Sequence, residues 1–223
     1  MKGQFLTRSS DSPLVEAVTH WIIGTDESSI AAPDGCWDLV VLKQDGQTNI
    51  LLTGQTTTAV PLHFAPGDEI LTISFKASAF LAFVPSPTLL DQALLLTKIG
   101  SSFRLASDVF EIPTFENADS FARSLMHKGH LCQNEVVKAL LTAEPPAYSL
   151  RSIQRQFLQT TGMTYKYFRQ IQRARQAAAL LQTGNSAIDV AYETGFADQS
   201  HMSRSLKRIL GQTPTVIAAL PRL

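Results

Sequence analysis

Two stretches in the last third of this 223-residue chain match each other at a fixed offset of 49 residues. Ile153 pairs with Met202, Arg155 with Arg204, Phe157 with Leu206, Gly162 with Gly211 and Thr164 with Thr213. Each stretch reads as an amphipathic helix followed by a glycine stop. The segment Tyr165–Gln182 lies between them and has the apolar spacing of one longer helix, with Phe168, Ile171, Ala178 and Leu181 expected on its inner face. Thr164 stands where a cap is needed and Gly184 where that helix should close. The repeat therefore predicts two copies of one supersecondary unit joined by a helical rod.

Each unit should be a scaffold helix, a turn, and a second helix able to enter a groove. The downstream copy shows this best. Ser186-Ala-Ile-Asp189 opens a helix in the manner of a capping box, and that helix presents Ile188, Ala191 and Tyr192. Ala191 is small enough for close helix approach, and Gly195 tolerates the backbone angles of a turn. A further helix is expected from about Gln199 to Leu210, with Met202, Leu206 and Ile209 inward, ending at Gly211-Gln-Thr-Pro214. Successive major-groove faces of a duplex lie about 34 Å apart, so two linked units suit two adjacent turns of DNA.

Charge points the same way. The formal net charge is zero, but residues 1–144 hold nine Lys and Arg against sixteen Asp and Glu, a net of −7. Residues 145–223 hold ten against three, a net of +7. A basic tail on an acidic body fits a polyanionic partner for the tail.

The combination Ser149-Leu-Arg-Ser-Ile-Gln-Arg-Gln-Phe157, Gly162-Met-Thr164, Ala178-Ala-Leu-Leu181, Ile188-x-x-Ala191, Gly195-Phe-Ala-Asp-Gln-Ser-His-Met-Ser-Arg-Ser-Leu-Lys207 and Gly211-Gln-Thr-Pro214 resembles the DNA-binding domain of the AraC/XylS family. The resemblance covers about residues 135–220. It implies a monomeric domain of two helix-turn-helix modules on adjacent major-groove segments of double-stranded DNA. By position, it implies Arg151, Ser152, Gln154 and Arg155 on the first recognition helix and Gln199, Ser200, His201 and Arg204 on the second. The chemistry suits the task, because Arg pairs with guanine and Gln with adenine, while Ser and His contact bases or phosphates. Base readout and phosphate positioning are both open for Arg155 and Arg204. One departure stands out. Glu144-Pro-Pro-Ala-Tyr148 interrupts the first scaffold helix, which predicts a shortened or differently docked first module.

The N-terminal part reads as mostly strand. Cys36–Leu42 and Thr48–Thr53 flank Asp45-Gly46, the pattern of a hairpin. Ile70–Phe75 follows the turn Pro66-Gly67-Asp68. Asp34-Gly-Cys-Trp-Asp-Leu-Val-Val41 before that hairpin resembles a cupin-like sensory domain carried by some members of the same family. From about residue 105 the pattern turns helical. Phe115, Ala118, Phe121, Ala122 and Leu125 form one stripe, and Val136, Val137, Leu140 and Leu141 another. The expected fold class is α+β: a cupin-like β-barrel or sandwich at 1–105, a helical linker at 106–132, and an all-α domain of two helix-turn-helix modules at 133–223.

A metal-binding cupin needs clustered ligands. His20 and His63 are far apart and form no His-x-His pair, so no metal site and no cofactor are expected. Cys36 and Cys132 show no ligand spacing, and Cys36 reads as a structural thiol. No phosphate loop or nucleophile motif is evident, so the chain is not expected to be an enzyme. Phe64, Phe75, Phe80 and Phe83 are the residues to line an effector pocket, although each also suits core packing. No signal peptide and no run near the roughly 20 residues of a membrane helix is seen, so a cytoplasmic location is expected. The sequence favours an effector-responsive transcriptional regulator, dimeric through its N-terminal domain. A cupin-type enzyme with an appended DNA-binding domain and a constitutive DNA-binding dimer stand beside it as alternatives.

Overall fold

The computed structural model describes residues 3–142 and 148–220. They divide into two compact units, one of residues 1–28, 36–55 and 63–164, the other of residues 29–35, 56–62 and 165–223. The chain therefore passes between units several times before residue 165. The boundaries expected at 105 and 132 do not coincide with this partition.

The first unit is built on an antiparallel sheet. Its strands in chain order are β1 (Gln4–Arg8), β2 (Val15–Ile22), β4 (Trp37–Gln44), β5 (Gln47–Thr53), β7 (Glu69–Phe75) and β9 (Ala93–Leu96), and they lie side by side as β1-β2-β7-β4-β5-β9. Between them in sequence, β3 (Glu27–Ala31) and β6 (Val60–Phe64) pair as a separate two-stranded ribbon. The β4–β5 hairpin turns at Asp45-Gly46, where φ is 49° and 72°. Two consecutive positive φ values are what a two-residue type I′ turn demands, and the Asp-Gly pair supplies them.

Alternation then sets the faces. Trp37, Leu39 and Val41 of β4 stand opposite Phe75, Ile73 and Leu71 of β7, and all six are buried. Ile50 and Leu52 of β5 extend that layer. The other face carries a smaller cluster of Ile23, Phe64 and Ile70 with Trp21, Val40 and Leu42. The larger layer is completed by β8 (Ala79–Leu81), the three-stranded sheet of β10 (Lys98–Ile99), β11 (Ser102–Leu105) and β12 (Asp108–Glu111), the helix α2 (Ala118–His127), and β13 (Leu131–Gln133), which pairs with β8. The short helix α1 (Ser86–Leu89) precedes β9.

Residues 106–132, expected as a helical linker, include strand β12 as well as helix α2. Phe110, Phe121, Ala122 and Leu125 from this segment belong to the same core as the sheet. The stripe at 118–125 was a correct sign of an amphipathic helix, but its apolar face serves the β core. Arg8 fastens α2 in place: its Nη1 donates to Asp119 Oδ2 at 2.7 Å and its Nε and Nη2 donate to the Phe115 carbonyl. Burial alone would raise the Asp119 pKa. Ser10 and Arg8, hydrogen-bonded to the carboxylate, outweigh burial and hold it below the ordinary range.

Two helices end this unit, α3 (Glu135–Leu141) and α4 (Leu150–Thr161). Asn134 caps α3 by accepting from the Val136 and Val137 amides, and its Nδ2 donates to Thr160 Oγ1 at 2.9 Å. The proline pair at 145–146, expected to shorten the first module, lies outside the described residues.

The second unit holds α5 (Tyr165–Gln182), α6 (Ala187–Glu193), α7 (Gln199–Leu210) and α8 (Pro214–Ala219). Gly211-Gln-Thr-Pro214 ends α7 as expected, and the same segment opens a further helix that the sequence pattern does not announce. Pro214 takes the first position of α8, where proline's missing N–H is not needed. On α5 the buried residues are Phe168, Ile171, Ala174, Ala177 and Leu181, while Ala178 is only half-buried. Segments 29–35 and 56–62 belong to this unit as well. Tyr167 Oη donates to the Thr57 carbonyl at 3.0 Å, Gln172 Nε2 to the Asp34 carbonyl at 3.2 Å, and the Ala59 amide to the Ile209 carbonyl at 2.9 Å. Two loops from the N-terminal half of the sequence are thus integral to the unit that carries the last four helices.

Candidate nucleic-acid interface

The helix with the most clearly separated buried and exposed faces is α7. Asp198 caps it, accepting from the His201 amide at 2.6 Å, and Gly211 closes it with φ of 73°. Met202, Leu206 and Ile209 are buried, which fixes the opposite face outward. Gln199, Ser200 and Arg204 lie on that exposed face. His201 is half-buried: its Nδ1 accepts from the Ala197 amide at 3.4 Å and its ring meets Phe196 edge-on. It therefore also supports the turn.

The scaffold helix α6 enters through Ser186, whose Oγ accepts from the Asp189 amide and donates to the Asp189 carboxylate at 2.6 Å. This is half of the capping box that the sequence pattern suggests, with the Asp189 carboxylate bonded to the Ser186 hydroxyl in place of the Ser186 amide. Its inner face is Val190 and Ala191. Ile188 and Tyr192, expected with Ala191 on the presented face, are 69% and 89% exposed. On a seven-residue helix the inward stripe is narrow, and Val190 occupies it. The turn to α7 is held by Arg173 of α5, which the sequence reading passed over. Its Nη1 donates to the Gly195 carbonyl at 3.1 Å and its guanidinium lies 4.3 Å from the centre of the Phe196 ring. The only sequence signal was a basic residue on the rod, indistinguishable from its neighbours Arg169 and Arg175.

The equivalent helix of the first unit is α4, with Ser149 as cap, Ile153 and Phe157 buried and Gly162 closing it. Arg151, Gln154 and Arg155 are exposed, and Ser152 is half-buried, its Oγ accepting from Gln156 Nε2. Neither α4 nor α7 has an acidic residue in its first turn. Arg151 stands at the positive end of the α4 dipole, an arrangement unfavourable for the helix alone but suited to an anion at that end. Among the described residues, Arg151, Arg155 and Arg204 form no ion pair.

The four phenylalanines expected around an effector are dispersed. Phe75 is fully buried and stacks on Trp37 with ring centres 4.1 Å apart. Phe64 is in the smaller cluster on the opposite sheet face. Phe80 is half-buried on β8, and Phe83 is partly exposed with its ring edge-on to His130. Phe75 lies on one face of the six-stranded sheet, while Phe64, from the β3–β6 ribbon, packs in the cluster against the other face, so no single pocket of the described residues gathers the four.

Residues 143–219 match the family described as a helix-turn-helix domain. Residues 143–219 are a helix-turn-helix domain of the AraC/XylS type. Over 73 residues the chain is 41% identical to the HTH-type transcriptional regulator RipA of Corynebacterium glutamicum, 33% of this chain and 22% of that protein. Over 82 residues it is 34% identical to the HTH-type transcriptional activator RhaS of Yersinia pestis, 36% of this chain and 30% of that protein. The chain thus matches less than a third of the length of these curated relatives. Among solved structures, ToxT of Vibrio cholerae aligns over 95% of this chain and 98% of its own, at 12% identity and a TM-score of 0.42. The described helices α4, α5, α6, α7 and α8 fall within the matched residues. The rod is about 27 Å long at 1.5 Å per residue over its 18 residues. No helix of the described residues is long and apolar enough to cross a membrane.

Proposed function

We propose that this chain is a sequence-specific regulator of transcription that reads double-stranded DNA through α4 and α7 and responds to a small molecule held by its first unit. The observation that carries the reading is the two-faced geometry of α7. Its buried side is anchored by Met202, Leu206 and Ile209, and its exposed side offers Gln199, Ser200 and Arg204 within little more than one turn. The repeat partner α4 offers Arg155 at the position of Arg204 and Arg151 at that of Ser200, with Ser152 and Gln154 beside them, over the buried Ile153 and Phe157. The names of the matched relatives support a regulatory role, and the reading assigns the chain no catalytic step. A DNA-directed role places it in the cytoplasm. Dimerisation through the first unit belongs to the same proposal.

The test is selection of duplexes from a random pool, followed by variants on the selected site. Gln199→Ala or Arg204→Ala should weaken binding by about 1–3 kcal/mol and relax preference at one half of the site. Uniform weakening across all sequences would assign these side chains to phosphates instead. Failure to select any sequence would overturn the proposal.

A further inference from the structure

One buried side chain in the first unit has no use in the fold. Gln55 follows β5 and is 3% exposed. Its backbone is engaged, since the Asp91 amide donates to the Gln55 carbonyl at 2.9 Å. Its side-chain Oε1 and Nε2 have no hydrogen-bond partner among the described residues. A primary amide has two donor hydrogens and two acceptor lone pairs, and burying them unmade is disfavoured. The amide borders a cavity of about 20 Å³ with Trp37 and Leu81 among its walls, Ser86 and Leu89 of α1 at one side, and Thr160 and Thr161 of α4 at another.

The lining dictates what fits. The Trp37 wall is rigid, because its indole stacks on Phe75 and its Nε1 donates to the Ala79 carbonyl at 3.0 Å. Thr161 is committed, donating to the Phe157 carbonyl at 2.8 Å and accepting from the Met163 amide. Thr160 Oγ1 accepts from Asn134, a bond that does not use the hydroxyl's own proton. Among the described residues no ionisable side chain lines the cavity, so a charged guest would be uncompensated. The volume seats one small polar group, and the pocket is open on one side, so the rest of a small guest can extend outward.

We propose that this cavity is the effector site and that it takes a compact uncharged carboxamide-type group, which offers an acceptor to Gln55 Nε2 and a donor to Gln55 Oε1. This rests on the reading of the chain as an effector-responsive DNA-binding regulator and names the site that reading lacks. The route to DNA is a single helix. Thr160 and Thr161 form the cavity end of α4, and Arg151, Ser152, Gln154 and Arg155 occupy its other end, within about 18 Å. Thr160 also receives Asn134, the cap of α3, so a guest that engages Thr160 acts on both helices of the first helix-turn-helix pair. A guest bound better in one orientation of α4 shifts the DNA-binding equilibrium by the difference in its two affinities.

The experiment uses the full chain and acetamide as probe. Binding is read from the indole N–H resonance of Trp37, assigned with Trp21→Phe, and DNA affinity is read on a duplex selected from a random pool. A saturable shift with acetamide, absent with acetate and absent in Gln55→Leu, is the expected result. Gln55→Leu removes the unmet polar atoms without removing bulk, so it should fold, and its retained Trp37 resonance verifies this. A linear response, or one unchanged by Gln55→Leu, overturns the site and leaves an ordered water as its only occupant. Saturating acetamide should change duplex affinity by about 5-fold or more in the parent chain and not in Gln55→Leu. Saturation with unaltered duplex affinity overturns the coupling through α4. Absence of duplex binding with and without acetamide overturns the proposed function itself, while the Trp37 titration continues to report on the cavity independently.

Discussion

Replacing Gly162 with alanine tests how the end of α4 is built. Gly162 has φ of 78° and closes α4, and Gly195 has φ of 72° in the turn before α7. An alanine at either position pays the left-handed penalty of about 1–2 kcal/mol. The surroundings then separate them. A Cβ on Gly195 meets nothing within 4 Å, so the conformational cost is the whole cost. A Cβ on Gly162 lies 3.0 Å from the Ser86 carbonyl oxygen and 3.2 Å from Pro87 Cα and Leu90 Cβ. Two of these three atoms are backbone, so relief requires moving α1, and overpacking adds about 1–3 kcal/mol. The expected losses are about 2–5 kcal/mol for Gly162→Ala against about 1–2 kcal/mol for Gly195→Ala. Urea unfolding is the assay, read by tryptophan emission for Gly162→Ala, because Trp21 and Trp37 both lie in the first unit with Gly162, and by helical circular dichroism for Gly195→Ala in the second unit. With a urea slope of roughly 2 kcal/mol per molar, Gly162→Ala should lower the emission midpoint by about 1–2.5 M. Asparagine tolerates the left-handed region, so Gly195→Asn should recover part of the loss and Gly162→Asn should not. If Gly162→Ala costs no more than Gly195→Ala, the packing of α1 against the end of α4 is not as described.

Three further outcomes follow from the charge and burial pattern. Duplex affinity should fall with salt at a log–log slope of roughly −4 to −5 if about five phosphates are neutralised, and a flat response in a binding titration would remove the DNA reading of the basic tail. Burial raises the pKa of Glu69 and Asp119, but Lys43 and His20 lower the first, and Ser10 and Arg8 the second, by more. Both carboxylates therefore add stability that is complete above their unfolded values of about 4 and is lost as pH falls through the lower folded values. Urea midpoints should hold steady down to about pH 5 and decline below about pH 4, less steeply in Asp119→Asn; a midpoint constant to pH 3 would contradict this. On α6, Ile188→Ser and Tyr192→Ser should change stability by no more than about 0.5 kcal/mol, while Val190→Ala should cost roughly 1–3 kcal/mol by thermal unfolding.

Much of the C-terminal unit could be read residue by residue because its signals are local. Ser186 and Asp189 are three apart and bond to each other. Gly162 and Gly211 close the helices that precede them, and Asp45-Gly46 turns the strands on either side. Met202, Leu206 and Ile209 share a face because a helix repeats every 3.6 residues. The 49-residue repeat and the division of charge are likewise properties of order along the chain. The tertiary structure decided what depends on distant partners. That Phe64 and Phe75 stand on opposite faces follows from strand pairing between segments far apart in sequence. Val190 rather than Ile188 turns inward because α5 and α7 surround a helix too short to average its own pattern. The loops at 29–35 and 56–62 join the second unit through bonds such as Ala59 to Ile209 and Gln172 to Asp34, which span more than a hundred residues. Gln55 looked like any polar residue after a strand. It became a candidate ligand-binding group only because β4, β5, α1 and α4 converge around it and leave its amide without an internal partner. Local hydrogen bonds and periodicity act within a few residues and are written in order along the chain. Burial is a property of everything that packs around a side chain, and no segment of sequence carries it alone.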